Sequence, residues 1–205
     1  MAQRANGVES MSRDTQQAGE RYTLFPTAFG TCGIAWRDSG LTRLQLPERD
    51  VPATERRLAA RATPGLADED VPWVAWAVVA LQRYFAGRPV DFSGISLDVG
   101  ACSPFHQRIY EALRGVPFGQ TTTYGALAAE VGAPDAARAI GQAMGRNPIP
   151  VIIPCHRVLA SGGKIGGFSA PGGATTKEKL LTLEGVVRPG RETPPLLALL
   201  EQGRS

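Results

Sequence analysis

The chain has 205 residues, 43% of them apolar and 20% charged, with a net charge of +3. This composition supports one large globular domain or two small ones, excludes a highly charged disordered chain, and contains no apolar run near the ~20 residues of a membrane span. Three widely spaced cysteines, Cys32, Cys102 and Cys155, argue against a disulfide framework or a paired metal site, and point to a reducing cytoplasm.

Residues 1 to 20 are polar, lack the apolar stretch of a secretory signal and read as a flexible tail. Next, Tyr22 to Phe25, Thr31 to Trp36 and Leu41 to Leu46 are short runs of strand formers separated by turn signals, as in an antiparallel meander. Ala53 to Ala60 and Trp73 to Phe85 have helical spacing, and Trp73, Trp76, Ala77 and Ala80 form a stripe expected to face the core. After the Ser93-Gly94 turn signal, Ile95 to Val99 is expected to return as a further strand. Residues 21 to 100 thus read as an α/β support domain without a chemical motif.

A second domain, over residues 101 to 187, begins near Ser103-Pro104. A helix is expected over Phe105 to Leu113, with Phe105, Ile109, Ala112 and Leu113 inward, followed by a turn over Gly115 to Gln120. Thr123 is placed to cap a helix ending near Val131, Gly132 to stop it, and Pro134 to occupy the first turn of the next helix. Helix, tight turn, helix is the helix-turn-helix pattern.

The second of these helices has an apolar face of Ala136, Ala139, Ile140 and Ala143. About 200° around the axis, Arg138, Gly141, Gln142 and Gly145 form a nearly bare face. Each glycine costs roughly 1 kcal/mol in a helix relative to alanine, so something must approach that backbone closely. Two occupants fit, a DNA groove or another helix of the same protein. Between Arg138 and Lys179, six cations face only Glu178, which suits a polyanion or an ordinary solvated surface.

Three prolines, Pro148, Pro150 and Pro154, stiffen the approach to Cys155, and the apolar run Val151 to Ile153 is expected to be buried. His156 follows directly and can favour the thiolate, although adjacent side chains do not face each other, so transfer between them needs a bend or a bridging water. Glu184, at the end of the apolar segment Leu180 to Leu183, is the candidate to orient the imidazole. On the residues alone, a buried structural cysteine and a nucleophile both remain open.

The motifs GQTTTYGALA, ARAIGQAMGRNP, PCHRV, GGFS and KLLTLEG, in that order over roughly Ser103 to Gly185, resemble those of the O6-alkylguanine-DNA alkyltransferases, also called methylated-DNA-protein-cysteine methyltransferases. The resemblance implies a ribonuclease-H-like α/β N-terminal domain with a small antiparallel sheet, and a mainly α C-terminal domain with a winged-helix-like helix-turn-helix. It implies irreversible, single-turnover transfer of an alkyl group from O6-alkylguanine in double-stranded DNA after minor-groove binding and base flipping, and leaves open whether O4-alkylthymine is a further substrate. By this resemblance Cys155 is the acceptor, His156 the base acting through water, Glu184 its partner, and Tyr124 a proton donor to the leaving guanine that also helps turn the nucleotide outward.

The same resemblance makes Arg138 the side chain that replaces the flipped base, on a recognition helix that also presents Gly141, Gln142 and Gly145. Asn147 becomes the hinge, while Val158, Phe168 and Ser169 line the base pocket. Phe168 stands where many members have tyrosine. No metal ligands are identifiable, no cofactor is implied, and a cytoplasmic monomer without an obligate protein partner is expected; residues 188 to 205 read as a tail. Competing readings are a lesion-binding protein without transfer, a regulatory helix-turn-helix protein and a Cys-His hydrolase. The first is opposed by Cys155, the second by the lack of a sensor segment and the third by the lack of an oxyanion hole.

Overall fold

The computed structural model describes residues 19–65 and 71–186, so most of both expected tails lies outside the described residues. Glu20, assigned to the tail, is buried: its carboxylate accepts from Thr42 and its carbonyl from Thr63 N.

Strands β1 (Arg21–Thr27), β2 (Gly30–Arg37) and β3 (Gly40–Gln45) form the expected antiparallel meander. A short β4 (Thr63–Pro64) adds to β1 in parallel, giving the order β3-β2-β1-β4 and a mixed sheet rather than a purely antiparallel one. Helix α1 (Val51–Ala59) starts two residues before the expected position because the Asp50 carboxylate caps Ala53 N at 2.6 Å. It lies close on the sheet at Gly33, where a Cβ would come within 2.4 Å of Leu58 Cδ1.

Helix α2 (Pro72–Phe85) covers the other sheet face with Val74, Ala77, Ala80, Leu81, Tyr84 and Phe85. The expected tryptophan stripe is therefore rotated: Trp73 is half-buried and Trp76 is 47% exposed. The physical reason is that Val74, Leu81, Tyr84 and Phe85 supply enough apolar area to set the inward face without the indoles. Ile95 to Val99 also departs from expectation, pairing only through an isolated bridge between Leu41 and Leu97. Asp98 holds this segment as a loop, accepting from Ser39 Oγ at 2.7 Å and from Gly100 N at 3.3 Å.

In the C-terminal half, Ser103 caps α3 (Pro104–Arg114) and Thr123 caps α4 (Tyr124–Glu130). Gly132, at φ +71°, reverses the chain after α4. Pro134 falls in the connecting turn rather than in the first helical turn, since α5 (Ala137–Gly145) has Ala136 as its N-cap. The inward face of α5 is Ile140, Ala143 and Met144, with Ala136 and Ala139 only partly covered. Tyr110 Oη donates to Ala143 O at 2.9 Å, tying α3 to α5. Strand β5 (Thr122–Thr123) pairs in parallel with β6 (Val158–Leu159), and α6 (Gly173–Leu183) closes the domain.

One core runs through both halves, from Phe25 and Trp36 to Leu180 and Leu183. Leu44 N donates to Pro148 O at 3.0 Å, so β3 is also fastened to the segment leading to Cys155. Among the described residues, no helix is long and apolar enough to cross a membrane.

Candidate active site

The segment after α5 is held by one side chain. Asn147 Oδ1 accepts from Ile149 N at 2.9 Å, while its Nδ2 donates to Ile153 O at 2.8 Å and to Cys155 Sγ at 3.1 Å. Between them Val151 takes φ +76°, a costly conformation for a β-branched residue that the surrounding bonds and burial maintain. Cys155 then opens a 3-10 turn over Cys155–Arg157, which supplies the bend that residue adjacency on a strand or helix would lack.

That turn sends His156 inward, away from the cavity. His156 Nε2 donates to Glu184 Oε1 at 2.7 Å, both side chains being fully buried. The hydrogen on Nε2 leaves the lone pair of a neutral imidazole on Nδ1, a buried nitrogen with no hydrogen-bond partner. Burial drives His156 below its ordinary pKa, opposed by Glu184 and reinforced by the charges of Arg157 and Lys177. The ring is therefore neutral at pH 7.

Glu184 sits at the C-cap of α6. Arg157 grips its carboxylate with Nε to Oε2 and Nη2 to Oε1, both at 2.9 Å; Gly119 N donates at 3.1 Å, and Tyr84 Oη donates to Oε1 at 2.7 Å. Burial alone would raise this carboxyl, but the bonds and charges of His156 and Arg157 outweigh it and hold the pKa at about 2. Since a guanidinium is permanently charged, Arg157 suffices to keep Glu184 ionised beside a neutral imidazole.

Burial also pushes the Cys155 thiol up, against the Asn147 bond, the Lys177 charge and the backbone N–H groups of Cys155 and His156. Lys177 is wholly buried, donates to Val158 O at 2.6 Å and lies 6.0 Å from the Tyr124 ring centroid. The resting residue is thus a thiol with several groups in place to stabilise its anion. Tyr124 is raised by burial and then by Cys155, so it remains a phenol able to donate.

Cys155 lies at the edge of a cavity of about 370 Å³ bounded by Gly145, Asn147, Phe168 and Ser169, and across from them by Arg43 and Arg57 of the N-terminal half. Tyr124 and Val158 are not among its lining residues. Val158 is fully buried and engages Lys177 through its carbonyl, while the Tyr124 hydroxyl packs at Gly166.

On α5, Arg138, Gln142 and Gly145 are exposed and Gly141 is partly so. A Cβ at Gly141 or Gly145 would meet nothing within 4 Å, which removes a helix of the described chain as the reason for the bare face. The basic surface is smaller than the sequence suggested, because Arg157 and Lys177, counted with it, are buried around Glu184 and Val158. Sequence reasoning missed Tyr84, Lys177 and the clamp by Arg157. Tyr84 had no motif to mark it, being an ordinary residue of an apolar helix in the other half of the chain.

Residues 104–186 match the family described as the 6-O-methylguanine DNA methyltransferase DNA binding domain, and residues 21–99 match its ribonuclease-like domain. The methylated-DNA–protein-cysteine methyltransferase of Mycolicibacterium paratuberculosis is 36% identical over 180 residues, which are 88% of this chain and 98% of that protein. The constitutive enzyme of Bacillus subtilis is 35% identical over 79% of this chain and 92% of its own length. A crystal structure of Mycobacterium tuberculosis OGT in complex with DNA aligns with a TM-score of 0.68 at 34% identity, covering 88% of this chain and 99% of that one.

Proposed function

The chain belongs to the 6-O-methylguanine DNA methyltransferase family and repairs DNA by moving an alkyl group to one of its own cysteines, which we propose is Cys155. The observation that carries this assignment is the placement of Cys155 Sγ beside a cavity next to the bare helix face, with Asn147 donating to the sulfur. Cys32 sits in the core with its thiol pushed up to about 12, chiefly by burial, and is unsuited to the role.

The substrate is O6-alkylguanine in duplex DNA. Its alkyl carbon is hidden while the base is stacked, so the nucleotide must turn out, at a cost of a few kcal/mol. Helix α5 enters the minor groove through Gly141 and Gly145, Gln142 contacts the strand, and Arg138 fills the space the base leaves. Phe168 and Ser169 face the extruded guanine. Phe168 retains an aromatic face but lacks the hydroxyl donor of a tyrosine.

His156 Nδ1 takes the thiol proton through a bridging water, and Glu184 stabilises the imidazolium. The sulfur attacks the alkyl carbon, the S–C bond forms, and the C–O6 bond breaks with its electron pair left on guanine. Tyr124, outside the cavity lining but near enough to Cys155 for the sulfur to raise its pKa, donates a proton to the leaving base and recovers one from the imidazolium through solvent, which balances the reaction without a redox step. Lys177 and Asn147 support the sulfur anion. The thioether product has no route back to a thiol, so each molecule acts once.

All these groups come from one chain, so a monomer suffices, and a reactive thiol fits a reducing cytoplasm. Mass spectrometry after incubation with O6-methylguanine duplex is expected to show one added CH2 on Cys155. Cys155→Ser should bind the duplex and gain no mass; a mass gain in that variant would overturn the assignment.

A further inference from the structure

A groove of about 820 Å³ lies beside the Cys155 cavity on the N-terminal half, lined by Arg43, Arg49, Arg56, Arg57 and Arg61 and by a single acid, Glu48. The two hollows share Arg43, Gln45, Glu48, Arg57 and Pro148, so the groove continues the cleft outward from the reactive cysteine. Three of the arginines are already engaged. Arg57 pairs with Glu48 at 3.1 Å, Arg49 with Asp50 at 3.2 Å, and Arg43 donates to Arg57 O at 3.2 Å. Arg56 and Arg61 are exposed and form no salt bridge among the described residues, Arg56 interacting only at longer range with Asp50, which already pairs with Arg49.

Resting on the reading of this protein as a DNA alkyltransferase, we propose that this groove is a second DNA-binding surface, in which Arg56 and Arg61 hold backbone phosphates flanking the flipped nucleotide. A run of guanidinium groups with little countercharge suits closely spaced phosphates, which Arg binds through paired N–H donors. Continuity with the cavity supplies the second argument. The residues the two hollows share give a strand that delivers its base to Cys155 a continuous way out of the cavity into the groove, and the bond from Leu44 N to Pro148 O fixes their spacing. The support domain thereby takes part in substrate binding, and α5 supplies only part of the phosphate contacts.

The test measures binding to a lesion-bearing duplex just long enough for one protein copy, for the parent and for Arg56→Ala/Arg61→Ala. Two lost phosphate contacts should flatten the plot of log affinity against log salt by about 1.8. The deficit relative to the parent should then shrink by about an order of magnitude between 50 and 200 mM salt. Arg56→Lys/Arg61→Lys should restore the slope, and every variant should react with free O6-benzylguanine at the parent rate. An unchanged slope in the alanine variant would overturn the proposal. So would a deficit confined to longer duplexes, which would assign the groove to a neighbouring protein copy, or a lysine variant as defective as alanine, which would indicate a role in shape rather than charge. Failure of the parent to become alkylated would instead strike at the function itself and would be seen separately.

Discussion

In the mechanism proposed above, His156 serves as the base: burial keeps it neutral while ionised Glu184 stands ready for the imidazolium. Tyr84 adjusts this balance: its hydroxyl donates to the Oε1 that accepts from His156 and lies 3.3 Å from the same ring nitrogen. Tyr84→Phe leaves that oxygen richer in charge and so raises the imidazole pKa. Reaction with free O6-benzylguanine should slow roughly fivefold, corresponding to about 1 kcal/mol for one hydrogen bond, and the acid limb of its pH profile should move to higher pH. A uniform loss at every pH, with no movement of the limb, would reduce Tyr84 to packing. Cys155, His156 and Glu184 were legible because they fall in short, dense motifs late in the chain. Tyr84 was not, since its partner is 100 residues away and only the packing of α2 against the C-terminal half brings them together. Arg157 and Lys177 illustrate the opposite difficulty, because a charge count does not distinguish a surface cation from one buried against a carboxylate or a carbonyl.

At the scale of elements, α5 carries glycines that cost it helix stability without filling any space in the described fold. Gly141 lies within the helix with open space around it, so its lack of a side chain serves nothing in the described fold. Gly141→Gln should stabilise the protein by roughly 0.5 kcal/mol through helix propensity alone. The same change places a long side chain on the face proposed to meet the groove, so repair of a duplex should fall at least tenfold while the reaction with free O6-benzylguanine is preserved. A thermal melt and the two rate measurements check this together; undiminished duplex repair would free the bare face from any contact with DNA. Its periodicity was readable because two glycines interrupt an otherwise regular pattern. Trp76 misled for the reverse reason: a large apolar residue in phase with alanines suggests a core, but the stripe led by Val74 and Leu81 holds it. Segment Ile95 to Val99 had strand composition, yet Asp98 spends its hydrogen-bonding capacity on a loop.

For the whole molecule, the consequence of this design is a buried charged cluster that joins the two halves and makes the fold sensitive to acid. Tyr84 from α2, Gly119 from the α3–α4 connection, Arg157 from the active-site turn and Glu184 from α6 meet at one carboxylate. Its pKa of about 2 lies below the ordinary 4.5, so between those values the unfolded chain binds a proton that the folded chain does not. Stability from this group is full above about pH 4.5 and falls as the pH drops towards 2, a loss on the order of 3 kcal/mol. His156 acts with the same sign over a higher range: its folded pKa is depressed, so unfolding takes up a proton as the pH falls below the ordinary 6.5. Urea unfolding at pH 7, 5.5, 4 and 3 should therefore show stability declining in two stages. Glu184→Gln leaves Arg157 without its buried countercharge, so the variant should be weaker at pH 7 by about 3 to 5 kcal/mol. It should also lose the lower stage, having no carboxyl to protonate, and converge on the parent in acid. Parallel curves for parent and variant down to pH 3 would show that Glu184 contributes through shape alone, and that the ionised cluster does not couple the two halves.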